Sequence, residues 1–133
     1  MDVAKSLPEY EFIWLGGDPE HSAEELPKLY DIPSNAHLLG DIPNASRYIN
    51  LCDLFVLFSN FEGLPMTIIE AMSQKKAVVA FNVGGIYELV DDSNGRLIEN
   101  DTDTACEAIK QILSDVLLRS KMEKVSFKNF KRL

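Results

Sequence analysis

Apolar residues gather in short runs of strand length, and between them lie stretches whose apolar positions recur every three or four places. Tyr10-Glu11-Phe12-Ile13-Trp14-Leu15, Ala36 to Leu39, Asp53-Leu54-Phe55-Val56-Leu57-Phe58, Ala77 to Phe81 and Arg96-Leu97-Ile98 read as strands. The run from Asp53 to Phe58 is apolar without alternation, as in a strand covered on both faces, and is expected to be central in its sheet. Helical segments fit between the strands. Asp2 to Leu7 reads as the last turns of a helix closed by Pro8. Ser22 precedes a small helix through Leu26, Leu29 and Tyr30 that ends near Asp31, and Asn44 or Ser46 can cap a helix running through Cys52. A helix begins near Pro65, Ile86 to Val90 is a short helical piece, and Asp101-Thr102-Asp103 opens a helix with Ala105, Ala108, Ile109, Ile112 and Leu113 on its apolar face. Strands alternating with helices over tight connections describe one open, doubly wound parallel sheet, hence an α/β fold in a single domain spanning 1–133.

In a sheet of that kind ligands bind beyond the carboxyl ends of the strands. Gly16-Gly17, Gly40-Asp41, Asn60 to Pro65 and Gly84-Gly85 each follow a predicted strand, so one crevice could be lined by all four. Glycine in a strand-to-helix turn also has purely steric uses, and each of these features alone is more readily structural than functional. In the stretch Glu62-Gly63-Leu64-Pro65-Met66-Thr67-Ile68-Ile69-Glu70-Ala71-Met72, Pro65 suits a first helical turn and Gly63 permits close backbone approach. At about 100° per residue, Ile68, Ile69 and Met72 share one side and Glu70 lies nearly opposite, off the core. On spacing alone Glu70 reads as a solvated glutamate and Glu62 as a charge favourably placed near a helix start.

The order of these pieces changes that reading. Ser59-Asn60-Phe61-Glu62-Gly63-Leu64-Pro65, Ile69-Glu70-Ala71-Met72, Ala77-Val78-Val79-Ala80 and Gly84-Gly85 with Glu88 resemble the donor-binding domain of the retaining glycosyltransferases of family four. The similarity runs from about Tyr10 to Asn100, and Glu62 and Glu70 reproduce the family's two glutamates separated by seven residues. The resemblance implies the GT-B architecture with a Rossmann-like donor domain, here truncated at its amino-terminal end. It implies transfer of a hexose from a nucleoside diphosphate sugar to an acceptor hydroxyl with retention of configuration, in polysaccharide or glycolipid biosynthesis. Carried over position by position, it assigns the ribose to Glu70 and the donor sugar, with the catalytic role, to Glu62. The backbone at Gly63, Leu64, Pro65, Met66 and Thr67 is assigned to sugar and diphosphate, and Gly16 and Gly40 to the surrounding crevice. A UDP-sugar is favoured by family frequency, with no cofactor and no metal. An ionised glutamate suits a ribose because its two oxygens accept from paired hydroxyls.

The formal charge of −8 argues against a nucleic-acid partner, which requires clustered Lys and Arg. It also raises a difficulty for a diphosphate ligand, met in part by the roughly half unit of positive charge at a helix start. Family members carry an Arg and a Lys after an opening strand, and an acceptor domain before it. Arg47, Arg96, Arg119 and Arg132 do not match that position, so this chain is expected to be a donor-domain fragment that catalyses no transfer alone. A non-catalytic sugar-nucleotide-binding or interaction module of the same fold is the alternative, and a nucleotide-sugar epimerase a weaker third. Cys52 and Cys106, each within a helix-like pattern, read as reduced and structural, and with His21 and His37 they form no metal-type pair. With no long apolar run and a polar start, a cytoplasmic location is expected. The last segment, 116–133, reads as an amphipathic terminal helix, basic from Arg119 on. Packing on its own protein is the plain expectation for it, and peripheral association with the inner face of a membrane the alternative.

Overall fold

The computed structural model describes residues 1–17, 25–63 and 65–133. They fall into two compact units, Met1–Ala45 and Ser46–Leu133, each with its own parallel sheet. Where the sequence leads to one continuous sheet, hydrogen bonding among the described strands makes two sheets.

In the first unit β1 (Phe12–Leu15) pairs in parallel with β2 (Ala36–Gly40), Phe12 opposite Ala36 and Trp14 opposite Leu38. Helix α1 (Asp2–Ser6) precedes them and α2 (Leu26–Leu29) lies between; the N-cap expected at Ser22 lies outside the described residues. Leu7, fully buried, and Ala4 anchor α1. A single buried side chain ties this unit together: the Asn35 amide nitrogen donates to the carbonyls of Ala4 at 2.9 Å, Leu7 at 3.0 Å and Tyr10 at 2.9 Å. The turn leaving α1 is closed in this way onto the chain entering β2, because carbonyls at a helix end lack intrahelical donors.

The second unit runs α3 (Ser46–Ile49), β3 (Phe55–Leu57), α4 (Met66–Ser73), β4 (Val78–Phe81), a 3-10 turn (Ile86–Glu88), β5 (Gly95–Ile98), α5 (Thr102–Ser114) and α6 (Val116–Phe130). Its sheet has the order β3-β4-β5, all parallel. Among the described strands of this unit the central one is therefore β4, with all four residues buried, and β3 is an edge with half-buried side chains. The expectation of a central β3 fails because a continuous apolar run reports coverage of the faces, not the number of hydrogen-bonded neighbours. Helix α4 packs on β3 and β4, α5 on β4 and β5, and α6 on both helices. Helix α3 stops at Ile49, three residues short of its expected end, and Cys52 lies beyond it; Asn44 takes a left-handed φ of 58° before it. Burial raises the pKa of the Cys52 thiol, and Cys106 is buried in α5.

Helix α5 has the buried face expected of its spacing, Ala105, Ala108, Ile109 and Ile112, with Leu113 half-buried. Asp101 caps it, accepting from the Thr104 hydroxyl at 2.6 Å and the Thr104 N–H at 2.8 Å. In α6 the expected amphipathic division is not found. Apolar side chains are distributed around its axis, and the residues it buries are Met122 and Ser126. Among the described residues no helix is long and apolar enough to cross a membrane.

Replacing Asn35 by alanine removes a shared side-chain donor from three carbonyls, of which those of Ala4 and Leu7 still accept from the Leu7 and Tyr10 N–H groups, and we expect a loss of about 1–3 kcal/mol in urea unfolding, the cost of about one unsatisfied buried group. A loss below about 1 kcal/mol would mean that the turn is held by other contacts. The Thr104 hydroxyl, and next its N–H, hold the Asp101 carboxyl below the ordinary value. A depressed folded-state pKa stabilises above the unfolded value of about 3.9 and is lost as pH falls through the folded one. The stability advantage of the wild type over Asp101→Ala should accordingly be constant near neutrality and shrink below about pH 4 in thermal unfolding.

Candidate functional site

The loop between β3 and α4 holds Glu62, and what fixes it is backbone. Gly84 has φ +54°, and a Cβ placed there would fall within the carbonyl oxygen of Glu62. The next residue, Gly85, donates its N–H to the Gly63 carbonyl at 3.3 Å, and a Cβ on it would lie 2.9 Å from that oxygen. Any larger residue at Gly84 would meet both a steric wall and an unfavourable φ. The turn after β4 thus serves as a template for the loop after β3. On the loop's other flank the Asn100 amide donates to Asn60 Oδ1 at 2.7 Å, and Phe58 stacks on Phe81 with ring centroids 4.9 Å apart.

Helix α4 starts at Met66 with Pro65 as its N-cap, φ −76° and ψ 94°. The Ile68 and Ile69 N–H groups donate to the Pro65 carbonyl, leaving those of Met66 and Thr67 as the unpaired donors of a helix start. Proline has no side-chain acceptor, so no cap competes for them. Ile68, Ala71 and Met72 are buried, Ile69 half-buried, and Glu70 exposed, the side opposite the core that the helical period gives it. Glu62 is half-buried, and among the described residues neither carboxylate has a hydrogen-bond or ion-pair partner. The backbone beneath Glu70 is well held: its carbonyl accepts from Ser73 Oγ at 2.7 Å, and Gln74 reaches across to the Ser46 carbonyl at 2.7 Å. Phe61, Met66 and Tyr87 stand 87, 59 and 63% exposed along these same loops.

Glu62, Gly63, Pro65, Met66, Thr67 and Glu70 are thus gathered in one loop and one helix of the second unit; Leu64 lies outside the described residues. Gly16 and Gly40 belong to the first unit, where they meet each other. The Gly16 N–H donates to the Gly40 carbonyl at 3.0 Å, both glycines have positive φ, and Gly17 donates to Asp41 Oδ1 at 2.9 Å. The sequence places both Gly84-Gly85 and the stretch from Asn60 to Pro65 along the crevice, but not the contact between Asn60 and Asn100. The structure gives the glycine pair a positioning role, for which two adjacent glycines after a buried strand were the visible signal; the Asn pair spans 40 positions and left none.

The family pattern described as Glycosyl transferases group 1 matches residues 2–115. The chain belongs to this family. Over 114 residues, 86% of this chain and 32% of the relative, it is 34% identical to the O-antigen biosynthesis glycosyltransferase WbnH of Escherichia coli. Over 134 residues, 97% of this chain and 38% of the relative, it is 26% identical to the amylovoran biosynthesis glycosyltransferase AmsD of Erwinia amylovora. It spans about a third of the length of such curated relatives. Among solved structures, HepE from Anabaena in complex with UDP and glucose aligns with a TM-score of 0.85 at 20% identity, over 98% of this chain and 39% of that one. The C-terminal domain of the group 1 glycosyl transferase LpcC from Francisella tularensis aligns with a TM-score of 0.78 at 23% identity, over 98% of this chain and 75% of that one. The fold is the Rossmann-like α/β domain of GT-B glycosyltransferases, so the resemblance carried by Glu62, Glu70 and the Gly84-Gly85 turn holds for family and fold.

Substituting Gly84 by alanine in this glycosyltransferase domain should cost about 2 kcal/mol or more, since a positive φ and a backbone clash are imposed together. Thermal unfolding gives the cost, and the amide resonances of Glu62 and Gly63 should shift more than those of α5. Unmoved resonances at those two residues would show that the glycine turn does not shape the loop.

Proposed function

We propose that this domain binds the nucleoside diphosphate sugar of a hexosyltransferase that passes the sugar to an acceptor hydroxyl with retention of configuration. The observation that carries the proposal is the pairing of two unpartnered carboxylates with an uncapped helix start: Glu62 on a loop fixed by backbone, Glu70 exposed on the following helix. Glu70 accepts from both ribose hydroxyls. The Met66 and Thr67 amides, with Gly63 and Leu64, receive diphosphate oxygens and stabilise the negative charge that grows there as the nucleotide leaves. Glu62 stands by the transferred sugar, where a carboxylate stabilises positive charge developing at the anomeric carbon. The name of the relative WbnH supports a place in O-antigen or related polysaccharide synthesis, and HepE, crystallised with UDP-glucose, supports a UDP-sugar as donor. Acceptor binding is assigned to a separate amino-terminal domain, so the chain by itself positions one substrate of two and turns nothing over. A cytoplasmic setting with peripheral membrane contact through residues 116–133 completes the reading, as a lipid-linked acceptor would require.

Comparison of two variants tests it. Glu70→Gln should weaken UDP and UDP-glucose alike, by about 1–3 kcal/mol for a charge-assisted contact, whereas Glu62→Gln should weaken only the sugar nucleotide. Removing either carboxylate also relieves repulsion of the phosphates, but that acts on both ligands and cancels in their ratio. Calorimetry at one salt concentration gives the ratio of the two affinities in each variant. An unchanged ratio in Glu62→Gln removes Glu62 from the sugar site, and unchanged affinities in Glu70→Gln overturn the ribose assignment.

A further inference from the structure

Five of the chain's 13 lysines and arginines fall between Lys121 and Arg132, against one carboxylate, Glu123. On α6, at about 100° per residue, Lys121, Lys124, Lys128 and Lys131 lie within about 80° of one another, directly opposite Ser126. Ser126 and Met122 are buried against the protein, while all four lysines are exposed. Because α6 is seated on α4 and α5, the stripe is held outward. Among the described residues no carboxylate pairs with Lys121, Lys124 or Lys128. Glu123 is engaged by Arg119, which also meets Asp53 at 3.3 Å, and Lys131 sits over the Phe127 ring at 4.5 Å with its charge intact. Leu117, at the head of the same stripe, is 84% exposed, and Leu133 beyond its end is 71% exposed.

We propose that this stripe is an electrostatic docking site for an anionic phospholipid surface. It runs for about 15 Å, the rise of ten helical residues, and presents point charges to a plane in which lipid headgroups can gather beneath them. The carboxylates that make the whole chain acidic weaken this attraction little where they lie beyond the Debye length of about 8 Å at physiological salt. A nucleic acid would use the lysines as well. It offers nothing to Leu117 and Leu133, which fit the headgroup boundary of a bilayer. Apolar residues are not segregated on α6, so binding is by charge, weak and reversible, as expected of a single attachment signal. The inference refines the membrane contact proposed above. Nucleotide affinity at Glu70 is measured without vesicles, so either reading can fail while the other stands.

Co-sedimentation of the purified chain with vesicles of phosphatidylglycerol and phosphatidylcholine, against phosphatidylcholine alone, tests the proposal. Binding is expected to the anionic vesicles only and to vanish at about 0.5 M salt, where screening is short-ranged. With about fivefold per lysine, the double variant Lys124→Gln/Lys128→Gln should lower the partition coefficient about 25-fold, and Lys5→Gln/Lys28→Gln, of equal net charge, less than about twofold. Circular dichroism checks that both fold. No binding to anionic vesicles at low salt, equal losses in the two doubles, or capture of DNA or a second copy of the chain with none of vesicles would each overturn it.

Discussion

Backbone packed directly on backbone is the constraint from which the site follows. The Gly84-Gly85 turn leaves the buried strand β4, and it rests against Glu62 and Gly63 with no side chain between. Protein interiors are close-packed, and a contact of this kind transmits position with little slack. The rigidity of β4, whose four residues are all buried, therefore reaches a loop that has few buried side chains of its own. Phe58 stacked on Phe81 adds a second tie between the ends of the same two strands. A half-buried carboxylate on such a loop can reach solvent without being loose, as binding a charged ligand in a fixed orientation would require.

Legibility in the sequence followed the range of the interaction. Helical periodicity is local, so the side chosen for Glu70 and the buried face of α5 could be read directly, and so could the cap at Asp101. Strand existence was legible for the same reason. Strand adjacency was not, since an apolar run does not tell which strand donates to which, and β3 is an edge where a central position was expected. The Asn35 clamp joins carbonyls 25 to 31 residues away, and an isolated asparagine before a strand resembles any turn residue. For the site itself, the spacing of two glutamates was weak until the Gly-Gly turn after the next strand was read with it, and the structure supplies the reason: the turn and the first glutamate share a contact.

Electrostatics divides the second unit in a way that net charge conceals. A charge of −8 summed over the chain would discourage any anionic partner, yet two features suit negative charge without contradicting it. One is the start of α4, where the donors are backbone amides, present whatever the composition and left uncapped by Pro65. The other is the outer face of α6, where lysines recur at helical spacing with Glu123 the one carboxylate among them. Net charge governs solubility and long-range approach; at a surface wider than the screening length, what a partner meets is the local pattern.

The burial of Ser126 bears on how α6 is oriented. A serine fully buried with its hydroxyl unpartnered, beside Met122, contributes less than a leucine there would, so hydrophobic burial on that face is not what alone fixes the rotation of the helix. A small residue does allow α6 to come close to α4, and it is from the turn after α4 that Lys75 reaches the Phe127 ring at 5.1 Å. Arg119, paired with Asp53 outside the helix, helps to set the rotation near the amino end, and Lys75 with Phe127 near the carboxyl end. With rotation fixed at both ends by polar and cation–π contacts, the lysines of the outer face are held to solvent as a consequence of packing rather than as a free choice of flexible side chains.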